Sequence, residues 1–176
     1  MASRLGKQFN ALTTMNEIDR SILSALDTRQ IVDTVLNRMR DLFPCDCVGV
    51  ALLDAESSDA GLMHVQYGES ESENWLVPIS LTAADVQECY NHPEQLFVDS
   101  TKELPHYVTS LAELEAELFL ALPMFVAEKL SGLIVLGYLD PTAVNEEDTI
   151  QARQLADQVA VAVSNARLIE ELDELN

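Results

Sequence analysis

The residues able to do chemistry in this chain are few and scattered. Three thiols stand at Cys45, Cys47 and Cys89, and three imidazoles at His64, His92 and His106. A structural zinc site needs four Cys or His ligands in tetrahedral array. Cys45-x-Cys47 supplies one pair with no second pair at matching spacing, so these thiols read as core or surface residues and zinc is disfavoured. A haem would need an axial imidazole. His92 and His106 lie mid-chain where such a group could sit, whereas His64 alternates with apolar neighbours in a strand and reads as outward-facing. For each histidine a loop or surface role outweighs a ligand role. Trp75, Tyr90, Phe97 and Tyr107 are the aromatics of the same middle region. Aromatic rings with a few polar groups are what a small-molecule pocket uses, and equally what a small core uses. Trp75, Tyr90, His92, Phe97, His106 and Tyr107 are therefore the candidate pocket residues. No G-x-S-x-G, H-E-x-x-H, kinase, G-x-G-x-x-G or Walker motif occurs, and no catalysis is expected of this segment.

Charge narrows the partners. The 176 residues carry 30 acids and 10 bases, a net −20, with a pI near 4.2. A nucleic-acid binder would need Lys and Arg to neutralise phosphates, and docking on an anionic membrane meets the same objection. The distribution is uneven. Residues 1–50 hold six acids and six bases, while residues 51–120 hold fourteen acids and one base, Lys102. Any ligand of that middle region is expected to be neutral or cationic. The odd cysteine count, with two thiols only two residues apart, is not a disulfide framework and points to a reducing, cytoplasmic setting. No apolar run reaches the ~20 residues of a membrane span, and no stretch of signal-peptide length opens the chain.

Elements must position these residues. Residues 3–26 read as a helix with a heptad-like stripe at Leu12, Met15, Ile22 and Leu26, interrupted by Asp19. Asp27 or Thr28 can cap a second helix over about 29–43, ended by Pro44. Apolar β-prone runs follow at 47–53 and 62–67, with a third over 75–81 whose Pro78 suits an edge or a bulge. Thr82 can cap a helix over 83–91. A short strand at 95–98 and a helix over 107–116 come next. The strongest strands are 118–126 and 132–139, joined by a five-residue turn. Asn145 caps a last helix that can run from 146 to the end. Its stripe is Leu155, Val159, Ala162, Ala166 and Ile169. A second, shifted stripe at Leu168, Leu172 and Leu175 is expected where the helix leaves its own domain for a partner. This order of elements indicates an α+β domain rather than a parallel βαβ sheet.

At four places the chain resembles a GAF domain. The helix at 28–43 with the following Val48–Leu53 strand is similar to the family opening. Phe119-Leu-Ala-Leu-Pro-Met124 is similar to the family strand that carries a proline before its last apolar residue. Gly132-Leu-Ile-Val-Leu136 matches the family's glycine before an apolar strand. Asn145-Glu-Glu-Asp148 and the run Leu155 to Leu168 match the closing helix. The similarity spans about 12–170.

The resemblance implies a GAF/PAS-like fold: a central antiparallel sheet of about six strands, flanked by helices, with long terminal helices. It divides the chain into an N-terminal dimerisation or signalling helix (1–27), a GAF domain (28–165) and a C-terminal extension (166–176) toward an output domain. It implies a sensory module of a bacterial signalling protein, two-component or diguanylate cyclase in type. Such a module binds a small molecule and dimerises through its terminal helices, here at Leu12, Met15, Ile22, Leu26, Leu168, Leu172 and Leu175. Cyclic-nucleotide-binding members carry an Asn-Lys-Phe-Asp-Glu signature. Only the acidic pair Glu147 and Asp148 survives here, and Val144 stands where the Phe would be, which disfavours that ligand. Bilin-binding members place a cysteine in the stretch equivalent to 99–118, which holds none, and Cys89 reads as a buried apolar side chain. The cofactor is left unknown. A ligand-free dimerisation scaffold is one alternative. A free methionine sulfoxide reductase-like enzyme is another, which would need redox cysteines in the pocket region.

Overall fold

The computed structural model describes residues 27–54, 59–67, 74–100, 104–109, 111 and 116–175. The expected helix at 3–26, with Leu12, Met15, Ile22 and Leu26, lies outside the described residues, as does the side chain of Leu175.

Helix α1 (Thr28–Leu42) starts where the Asp27 side chain accepts the Arg29 N–H at 2.9 Å. It ends at Phe43, whose backbone is extended ahead of Pro44. Ile31, Val32, Val35, Leu36 and Met39 recur at helical spacing and are buried. Strands β1 (Cys47–Leu53), β2 (Ala60–Tyr67) and β3 (Asn74–Ser80) form an antiparallel meander. Every residue of β1 is buried, as befits a strand covered on both faces. Helix α2 (Ala83–Asn91) leads to β4 (Leu96–Asp99) and the single turn α3 (His106–Thr109). Strands β5 (Leu118–Val126) and β6 (Lys129–Tyr138) close the sheet, and α4 (Glu146–Leu175) ends the fold. The order across the sheet is β3-β2-β1-β6-β5-β4, all pairs antiparallel. This is the six-stranded α+β architecture expected from the sequence.

The period-two alternation of the strands divides the core into two clusters. On one face α1 and α4 cover Val48, Val50, Leu52, Leu120, Leu122, Met124, Ile134 and Leu136. On the other, the distal face, α2 and α3 cover Ala51, Met63, Val65, Phe119, Ala121, Leu133 and Val135, with Val98 of the edge strand β4 in the same cluster. Gly132 is required by close approach, because a Cβ there would collide with the Ala51 carbonyl oxygen on β1.

Three details differ from the sequence expectation. The β5–β6 turn is only Ala127 and Glu128, with positive φ of 51° and 66°, instead of five residues. The positive φ values are those of a type I′ hairpin, which ordinarily takes Asn-Gly, so the sequence offered no signal for it. The helix expected over 107–116 is described only as α3, while 110 and 112–115 lie outside the described residues. His64, expected to face outward, lies on the helix-covered face beside α1 and is half-buried. Pro78 sits on β3, an edge strand, where its missing N–H breaks no ladder.

Candidate functional site

Two of the sequence-derived candidates, Phe97 and Tyr107, border one cleft on the distal side, although the β4–β5 register sets the Phe97 side chain on the face of Leu120, opposite Val98 and Tyr107. β4 pairs with β5, so its alternate side chains point in and out. Val98 points in and is buried, while Phe97 points out and is 53% exposed. Phe97 and Tyr107 line a cleft of about 180 Å³ between α2, β4 and α3, together with Leu96, Val98 and Pro105. Asp85, Glu88 and Asp99 complete its wall. The floor is apolar and the wall acidic, which suits a neutral or cationic guest and repels a phosphate.

The other candidates are placed elsewhere. Tyr90 is a pin: its hydroxyl oxygen accepts the Leu130 N–H at 3.1 Å, and its ring lies 5.2 Å from that of Phe125. It ties α2 to the β5–β6 hairpin. His92 caps the C-terminus of α2 in an exposed position, 3.9 Å from Glu88. Trp75, on β3, is half-buried against the distal cluster. His106 opens α3.

Below the cleft the interior is filled by the chain's own side chains. Cys89, Val108, Leu111 and Phe119 are fully buried there, and Tyr107 nearly so. Burial pushes the Tyr107 hydroxyl well above its ordinary pKa, and the neighbouring Cys89 adds to the shift. Burial likewise pushes the Cys45 and Cys89 thiols up to about 12, and Cys47 up to about 11. All three stay protonated at neutral pH, and a protonated thiol is a poor nucleophile and metal ligand. Among the described residues, no group of three or more His, Cys, Asp or Glu is placed to hold a metal ion. No described helix is long and apolar enough to cross a membrane.

One residue bordering the cleft was missed by the sequence reading. Arg153 leaves α4 and donates from Nη1 to the carbonyls of Pro93 (2.9 Å) and Glu94 (3.0 Å). Its Nη2 bonds Asp157 one turn on, at 2.7 Å. The clamped segment joins α2 to β4, two of the three walls of the cleft. Arg153 is one of three bases after residue 120, a count that could have singled it out, but no spacing foretold its partners. Further along α4, Arg167 donates to the Leu53 carbonyl at 2.9 Å, and Glu170 accepts from the Thr28 hydroxyl at 3.0 Å. On either side of Glu170, Leu168 and Leu172 are exposed, with Leu172 at 60%.

A sequence profile of the GAF domain matches residues 25–164, and the chain belongs to that family. Solved structures agree on the fold. The GAF domain of an Acinetobacter phosphoenolpyruvate-protein phosphotransferase is 20% identical, with a TM-score of 0.69 over 89% of this chain and 94% of that one. The GAF domain of a Bacillus halodurans two-component sensor histidine kinase is 21% identical, with a TM-score of 0.62 over 82% and 98%. The free methionine-R-sulfoxide reductase of Neisseria meningitidis is 14% identical, with a TM-score of 0.67 over 90% of each chain. Among curated protein sequences, none matches this chain. The general role of GAF domains is sensory, within signalling proteins.

Proposed function

We propose that this chain is the non-catalytic sensory module of a signal-transduction protein whose output is a histidine kinase or a diguanylate cyclase. It binds a small neutral or cationic molecule at the Phe97–Tyr107 cleft and passes the change to α4. The supporting observation is the Arg153 clamp, which hydrogen-bonds the long helix to the backbone bordering that cleft. A shift of β4 on ligand binding would load or release Arg153 and bias α4 between two positions. Leu168 and Leu172, exposed on the last turns of α4, supply the homodimer and output contact, with Leu175 in the same stripe and the 1–27 segment as its partner. All three thiols are buried, which argues against the sulfoxide reductase reading.

The test is a thermal-shift screen of small neutral and cationic compounds, because a binder selective for the folded state raises Tm with concentration. A hit whose Tm shift survives in Leu172→Ser but disappears in Leu96→Ala supports the cleft. Sedimentation equilibrium of Leu168→Ser/Leu172→Ser reads the dimer separately, and a wild-type monomer at high concentration sinks that part. The filled interior below the cleft favours a second reading, a scaffold module with no ligand. A screen with no concentration-dependent shift would select it.

A further inference from the structure

A second cleft, of about 230 Å³, opens where the C-terminal half of α4 passes the end of β1 and the β5–β6 hairpin. It shares no described lining residue with the Phe97–Tyr107 cleft. Its apolar wall is Val126, Ala160 and Val163, the last two buried. Its charged lining is Lys129 and Arg167 against Asp54 and Glu171. The contrast in charge is plain, because the described lining of the Phe97–Tyr107 cleft holds three acids and no base. Lys129 and Arg167 are two of the three bases after residue 120 in a chain of net −20. Arg167 is also fixed in place. Its Nη2 donates to the Leu53 carbonyl at 2.9 Å, which holds the guanidinium beside the cleft. A guanidinium carries several further N–H donors in a planar fork that matches a carboxylate.

We infer that this cleft binds a small zwitterion with an apolar body, an aliphatic α-amino acid. The inference goes beyond the sensory reading above and does not rest on it. The carboxylate meets Arg167 and Lys129, the ammonium meets Asp54 and Glu171, and the side chain lies on Val126, Ala160 and Val163. Both signs of charge are required. An acid with no ammonium would bring its charge up to two carboxylates, and an amine with no carboxylate would bring its charge up to two cations. Size agrees. A volume of about 230 Å³ equals roughly eight waters at about 30 Å³ each, which is room for one aliphatic amino acid and too little for a drug-sized ligand. The position of the site gives it a consequence. Its α4 wall runs from Ala160 to Glu171 and includes Leu168, which is 55% exposed. A bound amino acid ties these turns of α4 to the end of the sheet, adding to the Arg167–Leu53 bond.

Isothermal titration calorimetry of the full chain with L-valine, L-leucine and L-methionine tests this. At least one of them is expected to bind, at one molecule per chain. For the tightest binder, the matching amine without the carboxylate and the matching acid without the ammonium should each bind about tenfold more weakly or worse. Arg167→Gln should cost a similar factor. So should Glu171→Gln, an exposed position where the fold tolerates the change. Leu96→Ala, in the other cleft, should leave the affinity unchanged. No binding of any of the three at millimolar concentration would overturn the inference, as would equal binding of either analogue. Binding lost in Leu96→Ala but kept in Arg167→Gln would overturn it too, and would support the Phe97–Tyr107 cleft instead. Amide exchange reads the location without substitution. The bound amino acid should slow exchange in 164–172 and leave 83–99 unchanged, and the reverse pattern would refute the site.

Discussion

The two faces of the sheet are built on different principles. The helix-covered face is a continuous apolar layer under α1 and α4, helices of 15 and 30 residues with long buried stripes. The distal face is roofed by a nine-residue helix and a single helical turn, beside the four-residue edge strand β4. Elements that short do not hold alone in water. They are pinned by individual polar contacts: the Thr82–Asp85 capping box, the Tyr90 bond to Leu130 and the Arg153 clamp. A face held by separable pins opens locally at lower free energy than one held by a common core. A sensor needs both, a rigid layer that carries the output helix and a looser one that can respond.

The largest contrast is expected from core truncation. Leu122→Ala, on the helix-covered face, should cost about 3–4 kcal/mol by denaturant unfolding. Val98→Ala, on the distal face, removes the equivalent of about two methylenes near the surface and should cost about 1.5 kcal/mol. Equal costs would erase the distinction between the faces. Next in size is Arg153→Ala, which leaves the carbonyls of Pro93 and Glu94 to solvent. It should lower stability by about 1–2 kcal/mol, with most of the loss from those two bonds, since Asp157 is exposed. Hydrogen exchange in 92–99 should accelerate while β1 and β6 stay protected. A uniform acceleration would show that the two faces open together.

Smaller still, Glu128→Gly should stabilise the protein by about 0.5–1 kcal/mol, because glycine accepts the positive φ of the β5–β6 turn without strain. A loss of stability would mean that the side chain has a role the turn geometry does not reveal. The smallest effect is a pH dependence from His64. Burial lowers its pKa from the ordinary 6.5, opposed by Asp33 and reinforced by Arg29. The unfolded chain then binds this proton more readily than the folded one. The stability contributed is complete above about pH 6.5 and is lost as pH falls toward the lowered folded value. Wild type should lose Tm between about pH 7 and 5 faster than His64→Asn. Identical slopes would place the imidazole in open solvent.

Much of the fold was legible because its signals are local. Thr82 and Asn145 cap helices where expected, each accepting the N–H three residues on, from Asp85 and Asp148. Cys47–Leu53 reads as an unbroken apolar run because both its faces are covered, a property the composition carries directly. The turn at Ala127–Glu128 was not legible, because neither residue favours positive φ and the flanking strands impose it. The candidate site was legible only in part. Phe97 and Tyr107 border one cleft from opposite faces of β4, whereas Tyr90 serves as a pin and His92 as an exposed cap. All four were chosen by residue type, and type does not say which way a side chain points.

Local patterns along the chain specify the elements, their caps, the acidic middle and the family. Each of these depends on neighbours within a turn or two of chain, or on composition alone. What lies against what is set by the packing in three dimensions. It set Arg153 on the carbonyls of a loop some 60 residues away in sequence, placed His64 beside α1, and left Leu62 and Leu76 uncovered. Those outcomes follow from strand order and register, which set which face each side chain takes. They are fixed by the packing of all the elements at once.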